Sequence, residues 1–303
     1  MKLIAPDYYR EFRCIADKCR HSCCIGWEID IDPDTRAKYR RVAGEFGTRL
    51  NDCIEDGEVS CFRLGADERC PMLNENGLCD LITELGEDML CQICADHPRY
   101  RSFFTDRTEI GLGMCCEEAA RIILTRNTPV QLVTLEDDGT DAALPDDEAD
   151  LLVLRDGLTA LLQDDTHSLE ARLDALLAAV DFTIPEKDWA EVYRGLERLD
   201  SAWDSCLDAL DFSLAAPTHL QAALRNLAVY MLYRHLPGAL EDDDIPGRVA
   251  FCVLSTRILA ALCAGKDGCT IAVCIEFARM YSAEIEYSED NICALLDALW
   301  EED

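Results

Sequence analysis

Positive charge is what this sequence has least of. It carries 28 Lys and Arg against 60 Asp and Glu, a formal net charge of -32. Nucleic-acid backbones and anionic membrane surfaces are held by clustered Lys and Arg, so neither is an expected partner. A basic or lysine-bearing partner is drawn in by such a field, although net charge also serves solubility. The N-terminal stretch Met1-Lys2-Leu3-Ile4-Ala5-Pro6-Asp7 lacks the apolar core of a signal peptide, and no apolar run approaches the length of a transmembrane helix. A cytoplasmic location is expected, where thiols stay reduced. Several motifs are missing as well. No Gly-x-Gly-x-x-Gly opens a strand–helix unit, Gly111-Leu112-Gly113 being too short, and there is no phosphate-binding loop or His-Glu-x-x-His. The Cys-x3-Cys-x2-Cys of ordinary radical S-adenosylmethionine enzymes is not met, because Gly26 stands three residues beyond Cys23.

What the sequence does have is cysteine. Of its 18 cysteines, twelve lie between Cys14 and Cys116. Cys14, Cys19, Cys23 and Cys24 form a first knot, Cys70 and Cys79 flank a turn, Cys91 and Cys94 form a Cys-x-x-Cys pair, and Cys115 and Cys116 close the set. In a reducing compartment such clustering points to metal or catalysis rather than disulfides. Thiolate is a soft ligand that suits zinc or an iron–sulfur cluster and not calcium or magnesium. A structural zinc takes four tetrahedral ligands and a [4Fe–4S] cluster about four thiolates; the spacing leaves both open, in one centre or two. His21 and His97 sit among the thiols and can act as ligands or second donors. The other six cysteines, Cys206, Cys252, Cys263, Cys269, Cys274 and Cys293, read as packing residues.

The chain of 303 residues, 49% of them hydrophobic, is long enough for two modest domains. The expected fold is mainly α, with a small irregular α+β cysteine-rich N-terminal domain over 1–135, an acidic linker over 136–150 and a C-terminal helical bundle over 151–303. Residues 1–13 read as a lead-in. Cys14 to Gly26 reads as a ligand loop, Glu28–Asp32 as a short strand, and Asp34 as the cap of a helix to about Val42, with a second helix over Thr48–Ile54. Cys61–Leu64 and Thr108–Met114 read as strands. Asn76-Gly77 marks a hairpin-like turn that brings Cys70 and Cys79 together. Asp80–Leu85 reads as a helix stopped by Gly86, Cys116–Leu124 as a helix, and Val130–Leu135 as a strand. Apolar residues at helical spacing mark Leu169–Val180, Trp189–Leu210 and Thr218–Met231, followed by helices over 247–264, 270–283 and 289–301.

Cys14-x4-Cys19-x3-Cys23-Cys24-x2-Trp27, Cys70-Pro71-x-Leu73 with Gly77-Leu78-Cys79, Leu85-Gly86-Glu87, Cys91-x2-Cys94, His97-Pro98-Arg99 and Cys116-x-Glu118-Ala119-Ala120-Arg121 together resemble the flagellin lysine-N-methylase family, within the broader CxxCxxCC group of zinc- or iron-chelating domains. The resemblance spans roughly residues 5–125. It implies a protein-lysine N-methyltransferase that moves a methyl group from S-adenosylmethionine to surface lysines of flagellin and carries an iron–sulfur cluster, with Zn2+ as the alternative. It also implies Cys19, Cys23, Cys24, Cys70, Cys79, Cys91, Cys94 and Cys116 as ligands. Cys14 matches at the rim of the first knot, Cys115 stands where the family more often has another residue, and Cys53 and Cys61 have no counterpart. Methylation needs a neutral lysine amine and a group to take its proton; Asp96, Tyr100 and Glu118 are the candidates in the motif region. Arg99 is the candidate partner for the donor's carboxylate, or for a backbone carbonyl of a ligand loop. A non-catalytic zinc or iron–sulfur module that binds a basic protein is the competing reading, and would have every metal position filled by protein.

Overall fold

The computed structural model describes residues 1–140, 142–208 and 210–301, and only the backbone of Asp67. Asp141, inside the expected linker, and Glu302 and Asp303, at the end of the expected bundle, lie outside the described residues. The chain is mainly helical and falls into two compact units, Arg13–Arg99 and a second made of Met1–Phe12 with the described residues from Tyr100 on. The cysteine-rich segment is therefore an insertion within the larger unit, not an N-terminal piece of the chain.

In chain order, β1 is Lys2–Pro6. The insertion contains β2 (Asp30–Ile31), α1 (Pro33–Tyr39), α2 (Gly44–Asp52), β3 (Ile54–Glu55), β4 (Ser60–Phe62), α3 (Asp80–Leu85) and α4 (Gln92–Asp96). Beyond it come β5 (Arg99–Phe103), β6 (Arg107–Leu112), α5 (Glu117–Leu124), β7 (Leu132–Asp137), α6 (Asp146–Leu162), α7 (Leu169–Ala179), α8 (Trp189–Arg194) and α9 (Ala202–Asp208). The chain ends with α10 (Gln221–His235), α11 (Ala239–Asp242), α12 (Ile245–Gly265), α13 (Ile271–Tyr281) and α14 (Glu289–Trp300).

The larger unit contains a sheet of order β5-β6-β1-β7. β1, read from sequence as a lead-in, is central to it: it runs parallel to β6 and antiparallel to β7. A parallel pair needs a long crossover, and here the crossover includes the whole insertion. Helices complete the unit. α10 has no polar face, with 12 of its 15 residues buried, as expected of a helix surrounded on all sides. α12 corrects the expectation about long apolar runs: it is long and apolar enough to cross a membrane, but 83% of its apolar window is buried inside the protein. The acidic stretch 136–150 does not run free between domains. It starts inside β7 and ends inside α6, whose first turn holds Asp146, Asp147 and Glu148, where carboxylates complement the helix dipole. Glu148 also accepts from Thr105 N–H at 2.8 Å and from its hydroxyl at 2.7 Å. The long helix expected over Trp189–Leu210 is two short ones, because the Glu284 carboxylate caps the Leu199 and Asp200 N–H groups between them, at 2.9 and 2.5 Å. Among the cysteines read as packing residues, Cys252, Cys263, Cys269 and Cys274 are buried and Cys206 half-buried, whereas Cys293 is exposed.

Two buried charge sites hold this unit together. Arg155 of α6 makes a bidentate pair with Glu109 of β6 at 2.7 and 2.8 Å. After α13 a π-helical turn, Ser282–Glu286, brings Glu286 to Tyr230 Oη and His235 Nε2, each at 2.8 Å, with Arg234 Nε at 3.3 Å. Burial alone would raise the Glu286 carboxyl, but Arg234, His235 and Tyr230 outweigh it and hold it at about 2. A carboxylate with a depressed folded pKa contributes stability in full above its unfolded value of about 4.5, and that contribution is lost as pH falls through about 2. Glu286→Gln is therefore expected to be less stable at pH 7, by about 3 kcal/mol, since Arg234 loses its counter-charge. Its deficit relative to the parent protein should narrow as pH falls from 4.5 toward 2, as read by urea unfolding.

Candidate metal centre

The insertion builds its own small core from Ile29, Ile31, Tyr39, Leu50, Ile54, Phe62, Met72, Leu73 and Leu81, with Cys70 and Cys91 buried among them and Cys24, Cys79 and Cys94 packed against it. Backbone bonds draw the cysteine segments together. Cys70 N donates to Cys24 O at 2.8 Å and Gly26 N to Glu68 O at 3.2 Å, with an antiparallel bridge between Ile25 and Arg69. These place Cys24 and Gly26 of the first knot beside the segment that leads into Cys70. Gly26 has φ +90°, a left-handed conformation that favours glycine. The Cys70–Cys79 turn closes as its sequence predicts. Leu73 bridges Cys79, Asn74 N donates to Leu78 O at 2.9 Å, and Gly77 has φ +75°. α3 then ends at Gly86, φ +93°.

The Cys91–Cys94 pair is positioned by a residue far away in sequence. Asp32, not Asp34, caps α1, its Oδ1 accepting from Thr35 N at 2.9 Å. Its other oxygen accepts from Gln92 N at 2.9 Å and so anchors the start of α4. Burial would raise this carboxyl, but the Gln92 and Thr35 N–H groups outweigh it and lower it. Tyr39 hydroxyl donates to Met89 O at 2.7 Å and fixes the approach to Cys91.

Five thiols share one electrostatic neighbourhood. Cys70 feels Cys24, Cys79 and Cys91, and Cys94 feels Cys91, Cys24 and Cys70. Sulfur–sulfur hydrogen bonds join Cys24 to Cys23 and Cys91 to Cys94. The bond with Cys23, helped by Ser22 and Arg69, lowers Cys24 to about 7 against its burial. Within the Cys91–Cys94 pair, the hydrogen bond lowers Cys91 and raises Cys94. Burial pushes Cys70 up to about 12 and also raises Cys79. No three His, Cys, Asp or Glu side chains among the described residues are drawn together closely enough to hold a metal ion as they stand. By donor chemistry, however, five soft, largely buried sulfurs suit a thiophilic metal or an iron–sulfur cluster, neither of which needs more than about four.

The remaining candidates divide. Cys23 reaches this group through Cys24. Cys19 is half-buried and its thiol donates to His21 O at 3.1 Å. Cys116 belongs to the larger unit, where it precedes the first turn of α5 without a side-chain cap bond; Cys115 lies there too, raised to about 12 by burial. His97 packs 6.2 Å from the Trp27 ring, and burial, reinforced by Arg99, lowers it to about 4, so its imidazole is neutral at pH 7. Asp96 accepts from Gln92 Nε2 at 2.6 Å. Arg99 donates to Ala95 O at 3.2 Å and His97 O at 3.5 Å, the backbone role weighed for it. Tyr100 and Glu118 lie in the larger unit. The Tyr100 hydroxyl is buried without a partner among the described residues, and burial raises it well above its ordinary value. Glu118 pairs with Arg121 at 2.6 and 2.7 Å. The residue that sequence reasoning missed is Asp32; its Asp-Pro sequence before a helix was the available signal.

Asp32→Ala removes partners from two N–H groups and is expected to cost about 1–3 kcal/mol, measured by urea unfolding. Faster hydrogen exchange at both Thr35 and Gln92 checks the cause; a change confined to Thr35 would show that Asp32 does not tie α4 down.

No family model matches the chain, and no solved structure matches it. Curated relatives do. A protein of Salmonella typhimurium described as lysine-N-methylase is 30% identical over 129 residues, 39% of this chain and 31% of the relative. A protein of the same description from Salmonella choleraesuis matches with the same figures. The flagellar biosynthetic protein FliU of Salmonella muenchen is 28% identical over 132 residues, 39% of this chain and 75% of the relative. The chain thus spans less than a third of the length of the two lysine-N-methylases it matches, and over that part it is distantly similar to them.

Proposed function

We propose that this chain is a cytoplasmic protein-lysine N-methyltransferase that acts on flagellin, with S-adenosylmethionine as methyl donor and a [4Fe–4S] cluster held by cysteines of the insertion. What supports the reading is that Cys70 and Cys91 lie in the small core of the insertion and Cys24, Cys79 and Cys94 pack against it, in a chain distantly similar to proteins described as lysine-N-methylases and as a flagellar biosynthetic protein. Cys23 stands next to this set, hydrogen-bonded to Cys24.

The reaction is a displacement: the lysine Nζ lone pair attacks the sulfonium methyl carbon, the C–S bond breaks with its electrons going to sulfur, and the surplus proton leaves Nζ. Cysteines of the insertion would hold a [4Fe–4S] cluster, which would supply a coordination point for the amino and carboxylate groups of the donor. The chain's own task is to orient and to move a proton. Asp96 is the preferred acceptor, because it lies in the same unit as the thiols and stays in contact with solvent. Tyr100 is a poor one, since its buried phenol stays protonated at neutral pH. Arg99, by holding the Ala95 and His97 carbonyls, fixes the end of α4 and with it Asp96. The acidic surface favours approach of lysine-bearing protein.

Protein purified without oxygen is expected to be brown, to contain iron and acid-labile sulfide, and to bind S-adenosylmethionine by calorimetry. Cys91→Ser should lose the iron, whereas Cys252→Ser, a change in the larger unit, should keep it. Asp96→Asn should retain donor binding and lose about 10²-fold or more in methyl transfer to flagellin. A colourless zinc protein that ignores the donor would favour the non-catalytic module.

A further inference from the structure

β7 ends its sheet, so one edge pairs with β1 and the other meets no strand among the described residues. That edge is built to receive one. Val130 N donates to Gln163 Oε1 at 2.6 Å, and Gln163 Nε2 donates to Val130 O at 3.3 Å. A side-chain amide thus makes the two bonds that a peptide group of a neighbouring strand would make. Residues two apart present their backbone groups to the same edge, so Leu132 and Thr134 offer the next rungs. Asp7 N bonds Gln131 O at 2.8 Å, which turns the intervening position toward β1 and confirms the phase. Beside these rungs runs a groove of about 480 Å3, lined by Leu132, Thr134, Asp156, Thr159, Ala160 and Gln163. Val130, Leu132, Asp156 and Thr159 also line a narrow pocket beside Tyr8, Tyr230 and Tyr233, where Arg155 lies over the Tyr233 ring at 5.2 Å.

We propose that the free edge of β7 takes an extended, lysine-bearing peptide segment as an added strand. The charge of the groove selects the occupant. Asp156 is exposed, and Glu136 and Asp137 continue the strand as exposed carboxylates. Arg107 also lines the groove, but its guanidinium is taken by Asp106 at 2.7 and 2.9 Å. The exposed carboxylates along the groove suit the ammonium of a lysine. Another copy of this chain is disfavoured, because its own β7 edge is acidic and like charges repel. Backbone bonds give affinity in such strand addition and the groove gives preference. Binding here is separate from methyl transfer and can be measured without it.

The test uses the full chain and a labelled peptide alternating lysine with valine and threonine, read by fluorescence anisotropy. Saturable binding is expected, with slower hydrogen exchange at Leu132 and Thr134. The same peptide N-methylated on alternate backbone nitrogens should bind about 10-fold or more weakly, since it loses the rungs. Ala160→Trp, which fills the groove from an exposed helix position, and Asp156→Lys should each weaken binding about 10-fold while circular dichroism and urea unfolding stay at parent values. A peptide with glutamate in place of lysine should not bind. Equal affinity for the N-methylated peptide, unchanged exchange at β7, or no binding by the parent protein would each overturn the proposal. If binding holds and methyl transfer fails, the docking edge stands and the catalytic reading falls.

Discussion

Five thiols in one small interior are a problem of charge before they are a site. Each must lose a proton to bind a soft metal, yet several thiolates buried together without a counter-charge cannot be sustained. In the insertion, hydrogen bonds and burial act on these thiols in opposite directions. Cys24 leans on Cys23 and Cys91 on Cys94, while Cys70 and Cys79 are kept protonated by burial. Such a group holds the negative charge of a thiolate poorly and would hold a cation well, since metal would replace the protons and cancel the repulsion.

The surrounding structure serves that arrangement. The insertion has little regular structure to close it: strands of two or three residues and helices of one or two turns. Its stiffness comes from single long-range bonds, of which Asp32 to Gln92 and Tyr39 to Met89 are the most telling. The larger unit is different in kind. It rests on a continuous apolar core around α10 and α12 and on buried pairs such as Arg155–Glu109.

What could be read from sequence was whatever is local. The Cys70–Cys79 turn and the stop of α3 at Gly86 follow from Asn-Gly and Gly chemistry within a few residues, and helices with an apolar face were visible for the same reason. What could not be read depends on partners far away. β1 looks like a lead-in because its pairing residues are at 107–109 and 132–137. α4 is only five residues long and leans on an aspartate 60 positions earlier. The break between α8 and α9 is imposed by Glu284. Acidic residues at 136–150 suggested a linker because composition alone does not distinguish solvated chain from the charged first turn of a helix. For the candidate centre, the cysteine pattern pointed to a segment of chain and no further. It did not show which sulfurs meet, nor that Cys116 lies in the other unit.

The central claim is that Cys24, Cys70, Cys79, Cys91 and Cys94 supply the ligands of one soft metal centre. Differential alkylation, with peptide mass spectrometry on metal-loaded and chelator-treated protein kept folded, tests it most directly. The account predicts that metal protects at least four of these five and leaves Cys14 and Cys61 equally reactive in both states. Equal labelling of all five with and without metal would contradict it.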